Sequence, residues 1–403
     1  MNPRLALMLL CLTVASFAPC PVIATDEITA KLDLTSPCDY QVFQRKSLRE
    51  GTVVIAGQLS FVKGQVPENV TLESRLIDES AAVPKPGEWK RLPWDARVAS
   101  FRFPMNAAAG GWYRLEVRVR SGESTLLTVP VDHVGIGEVV IVAGQSNSAN
   151  HGEVQTQPKT GRVSAFNGSN WQIANDPQPG ASGGGGSFIP AFGDRMIETH
   201  NVPIGIAAVG VGATSVRQWL PKGERITILP TLTGHIVTVA DETSNEGRWE
   251  CSGGLFDNLM TRVHHFGPHG CRAILWHQGE SDANQALKDR TLPGKLYAQH
   301  METIIKRSRT QSGWPIPWFI AQASYHTPDD PGSEEIRAAQ KSLWQNNLAH
   351  EGPNTDALTG DHRDSGGKGV HFSAKGLQAH GHLWADKLSQ VIDQPKRTSS
   401  ATR

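Results

Sequence analysis

The sequence predicts an α/β domain of three layers, preceded by a β-sandwich. The chain has 403 residues, which is enough for two compact domains. Short strand-like runs broken by turn residues fill residues 26–131, whereas continuous apolar runs alternate with helix-like segments from residue 135 onwards. The first pattern is typical of antiparallel sheets and the second of a parallel sheet covered by helices. We therefore divide the chain near residue 134.

The sandwich is predicted over residues 25–134. In the run WYRLEVRVR, Leu115, Val117 and Val119 alternate with charged residues, as in a strand with one buried face. Four other runs are strand-like: GTVVIAGQLSFV, NVTLESRLI, VASFRFP and TLLTVPVDHV. Their spacing favours an immunoglobulin-like or jelly-roll-like sandwich.

The α/β domain is predicted over residues 135–394. Its strands are four apolar runs without alternation: EVVIVA, PIGIAAVG, CRAILW and IPWFIAQ. Strands buried on both faces have this composition. The predicted helices span residues 188–200, 255–266, 292–308, 334–349 and 374–392, the last with Ser373 as its N-cap. Residues 395–403 are expected to be disordered.

Residues 1–24 have the pattern of a secretory signal peptide. Arg4 precedes the apolar residues 5–18, and small residues end at Ala24. The apolar part is too short for a membrane span, so a secreted or periplasmic protein is expected. A lipid anchor at Cys20 is not expected, because FAPC does not match the small-residue box before a lipidated cysteine.

Charge and cysteine content narrow the possible partners. Lys plus Arg and Asp plus Glu each number 39, and this balance predicts neither a nucleic acid nor an anionic membrane surface as a partner. No later segment is apolar enough to be an integral membrane span. Removal of residues 1–24 leaves Cys38, Cys251 and Cys271, which allow at most one bridge, and we favour Cys251 with Cys271.

Four polar motifs follow or flank the predicted α/β strands: GQSNS (144–148), GVGATS (210–215), HQGESD (277–282) and GVHFS (369–373). The carboxyl ends of parallel strands meet at one edge of a sheet, where ligands bind. A serine, glycine amides, a side-chain amide and a histidine are the groups that acyl transfer requires. The sequence therefore predicts a single esterase-like site built from four loops, without a metal motif.

These four blocks, in this order, resemble the SGNH-hydrolase superfamily and, within it, the sialate O-acetylesterase-like carbohydrate esterases. The resemblance implies a flavodoxin-like, three-layer hydrolase domain that removes acetyl groups from an acetylated carbohydrate, either sialic acid or a plant or algal polysaccharide. It implies a serine acyl-enzyme and no cofactor. Two alternatives stay open, a general small-ester or lipid esterase and an inactive carbohydrate-binding protein.

The resemblance also implies residue roles. Ser146 would be the nucleophile and His371 the general base. The oxyanion hole would consist of the amides of Ser146 and Gly212 and the side chain of Gln278.

One position departs from the family pattern. The family commonly has an aspartate three residues before the histidine, but this chain has Lys368, which cannot accept a proton from imidazole. Asp364 lies seven residues before His371, and the intervening SGGK resembles an insertion that could loop out. Asp364 is therefore the proposed third member, with Asp361, Glu280 or a simple Ser-His dyad as alternatives.

Substrate-binding residues are predicted from the same loops: Gln145, Arg217 and Glu280. Arg217 suits acidic or polar sugar groups, and the neighbouring Trp219 suits either a sugar face or the core. Glu280 and Asp282 together could suggest a glycosidase pair, but residues two apart in a loop more often bind backbone amides.

Ser182 lies in GASGG, which fits the G-x-S-x-G pattern of α/β-hydrolases. That motif requires a strand before it and a helix after it. NDPQPG precedes GASGG and more glycine comes after it, so Ser182 is predicted to lie in a flexible linker.

Overall fold

A computed structural model describes residues 30–61, 66–79, 83, 85–95, 98–241 and 244–392. The predicted signal peptide, Cys20 and the tail 395–403 lie outside these residues. The strands are β1 (Ala30–Ser36), β2 (Val42–Gln44), β3 (Glu50–Phe61), β4 (Val70–Asp78), β5 (Lys85–Pro86), β6 (Lys90–Leu92), β7 (Ser100–Ala108), β8 (Gly110–Ser121), β9 (Ser124–Gly144), β10 (Val163–Phe166), β11 (Trp171–Ile173), β12 (Ile204–Ala208), β13 (Arg225–Ile226), β14 (Ile236–Asp241), β15 (Ser244–Cys251), β16 (Ala273–His277), β17 (Trp318–Gln322) and β18 (His350–Asn354).

The helices are α1 (Ile189–His200), α2 (Gly254–Phe266), α3 (Gly294–Ser312), α4 (Glu334–Gln345), the single turn α5 (Asp364–Gly367) and α6 (Ala374–Ile392). Each long helix overlaps a predicted one. The predicted helix at residues 334–349 ends early, because Asn347 takes a left-handed backbone conformation with φ of 57°. None of the helices in the described residues is long and apolar enough to cross a membrane.

A mixed sheet joins the two predicted parts of the chain. Six of its strands are parallel, in the order β10-β12-β9-β16-β17-β18, and β11 pairs antiparallel with β10 at one edge. Sequence analysis located four of the parallel strands. It missed β10, which has only four residues, and β18, whose sequence HEGPN has little apolar character. It also missed the small antiparallel sheet of β13, β15 and β14.

The N-terminal strands form two sheets with a shared core. One sheet has the order β1-β3-β7, and the other contains β4, β5, β6, β8 and the first half of β9. Val53 and Ile55 of β3 pack in one cluster with Leu115 and Val117 of β8. The predicted alternation in β8 is observed, since its apolar side chains are buried and its charged ones partly exposed.

Strand β9 runs through the predicted domain boundary without a break. Its first half pairs antiparallel with β8, and its second half is a central strand of the parallel sheet. Every residue from Val134 to Gly144 is buried. The change of sequence pattern near residue 134 therefore marks the point where one strand becomes buried on both faces, rather than a linker.

Helices cover both faces of the parallel strands. Val139 and Ile141 of β9 pack in the same cluster as side chains of α2, α3 and α4. Val140 and Val142 point to the opposite face and pack with α1 and α6. The period of two along a strand divides these residues between the faces, which gives a helix–sheet–helix arrangement in this part of the chain.

The favoured disulfide is not formed. Within the described residues Cys38, Cys251 and Cys271 are all free thiols. Cys251 ends β15, where its Sγ lies 3.4 Å from the carbonyl oxygen of Gln218, whereas Cys271 comes just before β16. Burial raises the pKa of the Cys271 thiol to about 12, so it is protonated and inert at neutral pH.

Candidate active site

The carboxyl ends of β9 and β16 lie side by side. Gly144 of β9 is paired with His277 of β16, and β12 flanks β9 on its other side. The loops after these strands surround a cleft of about 720 Å³. A groove of about 800 Å³ runs between α3 and α4, but surface residues of helices line most of it and it includes none of the predicted site residues. The cleft at the strand ends is therefore the candidate site.

Ser146 begins a single turn of 3₁₀ helix, Ser146–Ser148, directly after β9. The turn requires Gly144, because its φ is +128° and a Cβ there would lie 2.0 Å from the carbonyl oxygen of His277. The amide of Gln145 donates to the same oxygen over 3.0 Å. This turn places Ser146 in the wall of the cleft.

A buried network centred on Asp282 supports the cleft from behind. Its Oδ1 accepts hydrogen bonds from Ser215 Oγ at 2.5 Å and Arg217 Nη2 at 3.1 Å. Its Oδ2 accepts from the amide of Val216 at 2.8 Å and Gln278 Nε2 at 2.7 Å. Asp282 therefore fixes the loops after β12 and β16 to each other, as its predicted structural role requires.

Arg217 belongs to this buried network and does not line the cleft. Its side chain is 0 % exposed, and it also donates to the carbonyl oxygens of Ile228 and Arg290. The structure therefore does not place Arg217 where it was predicted to bind sugar, because the side chain is buried behind the cleft and four of its five N–H groups are already bonded. Trp219 is also buried and packs in the core.

Gln278 is likewise behind the cleft rather than in it. Its Nε2 donates to Gln145 Oε1, to the carbonyl oxygen of Thr214 and to Asp282, at 3.2, 3.1 and 2.7 Å. An amide nitrogen has two hydrogens, so none is left for an oxyanion. The structure thus does not place Gln278 in the predicted oxyanion hole. Gln145 does line the cleft, although its Oε1 is bonded to Gln278.

Gly212 lines the cleft, but its amide already has a partner. It donates to Ser182 Oγ over 2.7 Å. The prediction that Ser182 lies in a flexible linker is wrong, because its amide donates to the carbonyl of Gly210 and its own carbonyl accepts from Asn150, both over 2.9 Å. Close backbone contacts, which glycine permits, hold this loop against the site.

His371 lines the cleft, and Asp364 lies beside it. The Asp364 Oδ2 is 3.6 Å from His371 Nδ1, and the amide of Asp364 donates to the carbonyl of His371 over 3.0 Å. Glycine at residue 369 leaves room for the carboxylate in this position, since a Cβ on Gly369 would lie 1.6 Å from Asp364 Oδ1 and the carboxylate would have to shift. Ser365 and Gly366, with φ of 53° and 67°, form the loop that allows this approach.

The alternative carboxylates lie elsewhere. The Asp361 side chain is 88 % exposed and its Oδ2 is 3.6 Å from Lys375 Nζ. Glu280 is bonded to Asn147. Lys368 is exposed. Of these candidates, Asp364 is the carboxylate that the structure places next to His371 Nδ1.

A family model described as carbohydrate esterase, sialic acid-specific acetylesterase, matches residues 137–390. The match spans more than half of the chain. The chain belongs to this family. It is therefore a carbohydrate O-acetylesterase.

Solved structures resemble this esterase at low identity. A carbohydrate acetylesterase from Xanthomonas citri is 16% identical, with a TM-score of 0.52, over 90% of this chain and 75% of that chain. A protein from Arabidopsis thaliana is 16% identical, with a TM-score of 0.42, over 63% of this chain and 98% of that chain. A carbohydrate esterase family 2 enzyme with a carbohydrate binding domain from Corynascus thermopiles (Myceliophthora fergusii) is 10% identical, with a TM-score of 0.37, over 90% of this chain and 100% of that chain. None of the curated proteins matches the chain.

His151 is a residue of this esterase's cleft that sequence analysis missed. Its Nε2 lies 3.2 Å from Ser182 Oγ, and its ring stacks on that of His371 with the centroids 5.5 Å apart. Burial and the neighbouring His371 lower the pKa of His151, which favours its neutral form. Its place five residues after Ser146 was the available signal, but sequence does not show which way a loop side chain points.

Asn147 joins the loop of Ser146 to the loop of His371 and is itself bonded to Glu280. Glu280 lines the cleft, and its Oε1 accepts from Asn147 Nδ2 over 2.8 Å. The same Nδ2 donates to the carbonyl of Val370 over 3.2 Å. Asn147 follows Ser146 and Val370 precedes His371, so this contact sets the spacing between the two loops.

Among the described residues no cluster of three or more His, Cys, Asp and Glu side chains is arranged to hold a metal ion. The His277 Nδ1 lies 3.7 Å from Glu280 Oε1, and its Nε2 bonds Thr355 Oγ1 at 2.8 Å. Burial lowers the pKa of His277. His277 and Thr355 are not among the residues that line the cleft, and their hydrogen bond supports the loop that carries Glu280.

Proposed function

We propose that this carbohydrate O-acetylesterase works through a covalent acetyl-serine intermediate on Ser146. The observation that carries the proposal is that Ser146 and His371 line one cleft, with Asp364 beside the far nitrogen of the imidazole. A nucleophile, a base and a group that orients the base are the parts of a serine esterase.

In the first step Ser146 Oγ attacks the acetyl carbonyl carbon, and its proton moves to His371 Nε2. The tetrahedral intermediate then breaks its bond to the sugar oxygen, which takes the proton from His371 and leaves as an alcohol. In the second step water attacks the acetyl group, and His371 accepts its proton. Acetate leaves as the proton returns to Ser146 Oγ.

Asp364 orients His371 in this scheme. At 3.6 Å its Oδ2 is beyond hydrogen-bond range of Nδ1, but it can stabilise the imidazolium that forms when His371 holds the proton. In the described residues no hydrogen bond joins the Ser146 hydroxyl to His371. Catalytic hydrogen bonds often shorten only when substrate is bound.

In this proposal the Ser146 amide donates to the oxygen of the reacting carbonyl, and the Gly212 amide does so directly only where substrate displaces the Ser182 hydroxyl. Fixed donors stabilise the negative charge that develops on the carbonyl oxygen. The Gly212 amide is bonded to Ser182 Oγ. The substrate oxygen therefore either displaces the Ser182 hydroxyl from this amide or contacts that hydroxyl itself.

The α/β part is proposed to be a flavodoxin-like SGNH domain. Without the β10–β11 hairpin, its parallel strands have the order β12-β9-β16-β17-β18. In chain order this is 2-1-3-4-5, the flavodoxin-like arrangement, and its ligand crevice lies between the first and third strands. Those strands are β9 and β16, which carry Ser146 and the loop containing Glu280.

Export is proposed from the signal-like residues 1–24. Comparing the mass of the protein recovered outside the expressing cell with that of the full chain tests this proposal. A mature chain that begins near residue 25 supports it, whereas recovery of the uncleaved chain inside the cell contradicts it.

Release of acetate from a panel of acetylated glycans, measured by mass spectrometry, tests the proposed mechanism. The panel contains O-acetylated sialic acid, xylan and pectin, together with p-nitrophenyl acetate as a small ester. Ser146→Ala is expected to abolish turnover, and rapid quenching of the wild-type protein should trap an acetyl group on Ser146. Equal rates for both proteins would contradict the proposal.

The same panel separates the alternatives. A general esterase would hydrolyse p-nitrophenyl acetate but would spare the acetylated glycans. A binding protein would retain acetylated glycan without releasing acetate.

A further inference from the structure

The Ser182 hydroxyl lies between the Gly212 amide and His151. Ser182 Oγ accepts the Gly212 hydrogen bond at 2.7 Å and is 3.2 Å from His151 Nε2. All three residues line the cleft that contains Ser146. The Ser182 hydroxyl therefore stands between the Gly212 amide and the cleft.

The backbone of Ser182 is fixed on both sides. Its amide and carbonyl bond Gly210 and Asn150, and Asn150 Nδ2 also donates to the carbonyl of Ala181 over 3.3 Å. Gly183 takes φ of +89°, and a Cβ there would lie 2.3 Å from the carbonyl oxygen of Asn150. The Ser182 oxygen is thus held in place, while its hydrogen can still rotate.

The positions of the hydrogens are set by the partners. A hydroxyl has one hydrogen to donate and two positions at which it accepts. The Gly212 amide occupies one accepting position. A neutral His151 can accept the Ser182 hydrogen at Nε2, and rotation about the Cβ–Oγ bond turns that hydrogen towards the cleft without displacing a heavy atom.

We propose that Ser182 is a further catalytic residue, whose hydroxyl donates a hydrogen bond to the oxyanion on the acetyl group. This inference rests on the proposed acetyl-serine mechanism. Gln278, the side-chain donor expected from sequence, has no hydrogen available, and the Gly212 amide is committed to Ser182. No covalent bond forms or breaks at Ser182, because the hydroxyl shares its hydrogen and keeps it.

His151 is the positioning residue in this arrangement. It holds the hydroxyl hydrogen before the reaction and releases it when the stronger acceptor, a charged oxygen, develops. The Gly212 amide, which donates to Ser182 Oγ, polarises the hydroxyl and makes it a better donor.

Steady-state kinetics of Ser182→Ala on the best acetylated glycan of the panel test the proposal. Loss of one preorganised oxyanion donor lowers kcat on the order of 10²-fold. KM should stay unchanged, because the interaction forms only in the transition state. Ser182→Thr keeps the hydroxyl and should restore kcat, while Ser60→Ala, at an exposed serine of β3 that does not line the cleft, serves as the control and should keep it.

An unchanged or higher kcat for Ser182→Ala would overturn the inference, since the freed Gly212 amide would then serve the oxyanion directly. Failure of the proposed mechanism has a different signature. In that case Ser146→Ala would retain turnover and no acetyl group would be trapped, whatever the Ser182 variants do.

Discussion

The carboxylates of Asp282 and Asp364 have opposite surroundings. Asp282 lies in the buried network, whereas Asp364 lies beside His371 at the cleft. The two oxygens of Asp282 accept four hydrogen bonds, and its side chain is fully buried. Asp364 has one buried oxygen without a hydrogen-bond partner, and its other oxygen stands 3.6 Å from His371 Nδ1. The difference separates a group that holds loops in place from one that responds to a charge.

The contrast reflects the separate tasks of the two positions. A carboxylate that only fixes two loops is most stabilising when every lone pair is used, because an unpaired buried charge is costly. A carboxylate that stabilises a transient imidazolium gains when its interaction strengthens during the reaction. We therefore expect substitutions in the buried network to change stability and those at the cleft to change rate.

After Ser146→Ala, the largest effect is expected at His371. His371→Ala removes the base from both steps, and kcat should fall on the order of 10⁴-fold or more. The free energy of unfolding should change little, because the side chain is partly exposed and lies at the cleft surface. Acetate release and chemical denaturation of the same preparation measure the two quantities.

Substitution in the buried network should instead lower the free energy of unfolding. Asp282→Ala leaves the Arg217 guanidinium buried without its carboxylate, and breaking such a pair costs about 3–5 kcal/mol. That is about 10²- to 4 × 10³-fold in the unfolding equilibrium at the ordinary conversion of 1.4 kcal/mol per factor of ten. Chemical denaturation measures the loss.

A matched variant shows whether charge or shape matters at this position. Asp282→Asn keeps the shape and replaces one acceptor by a donor, so it should lie between wild type and Asp282→Ala in stability. If Asp282→Ala were as stable as wild type and lowered only kcat, it would be wrong to assign stability to the buried network and rate to the cleft.

Sequence reasoning located best the residues that come directly after a predicted strand. Ser146 and Glu280 lie just beyond β9 and β16, and neighbouring parallel strands bring their loops together. Asp364 was selected because SGGK could form a loop, and Ser365 and Gly366 do take left-handed conformations. Both inferences depend on local backbone geometry, which the residue types encode.

The direction of a side chain in a loop was harder to infer. Arg217 and Gln278 stand in the expected motifs, yet both turn away from the cleft towards Asp282. Ser182 and His151 meet only because the loop after β9 packs against the glycine-rich loop at residues 180–187. Such contacts depend on tertiary packing, which residue spacing along the chain does not define.

Asp364 itself provides the next test. Asp364→Asn keeps the shape of the side chain but removes its charge, so the imidazolium of His371 loses stabilisation. We expect kcat to fall about 10²-fold, the lower end of the range for groups that assist proton transfer, because the 3.6 Å contact is partly solvated.

Asp361→Asn is the control, since this exposed carboxylate lies outside the His371 contact. Its kcat should equal that of wild type. If Asp361→Asn lost activity and Asp364→Asn did not, the assignment of the third member would pass to Asp361.

The smallest effect is expected at His380, which is fully buried behind the cleft between the rings of Phe188 and Phe372. Its Nε2 accepts a hydrogen bond from Trp384 Nε1 over 2.9 Å. Burial, with His277 and Arg363 nearby, holds the pKa of His380 well below its usual value. The folded protein therefore keeps this imidazole neutral where the unfolded chain would protonate it.

As pH falls below about 6.5 the unfolded state binds the extra proton, so the free energy of unfolding should decrease by about 1.4 kcal/mol per pH unit for each such histidine. His380→Gln removes one titrating group, and the slope of stability against pH between about 6.5 and about 5 should become shallower even if the variant is less stable overall. Denaturant unfolding at several pH values measures that slope, with His382→Gln, two residues along α6, as the comparison. An identical slope in wild type and His380→Gln would mean that the acid sensitivity arises elsewhere. His380 would then make no measurable contribution to the pH dependence of the free energy of unfolding.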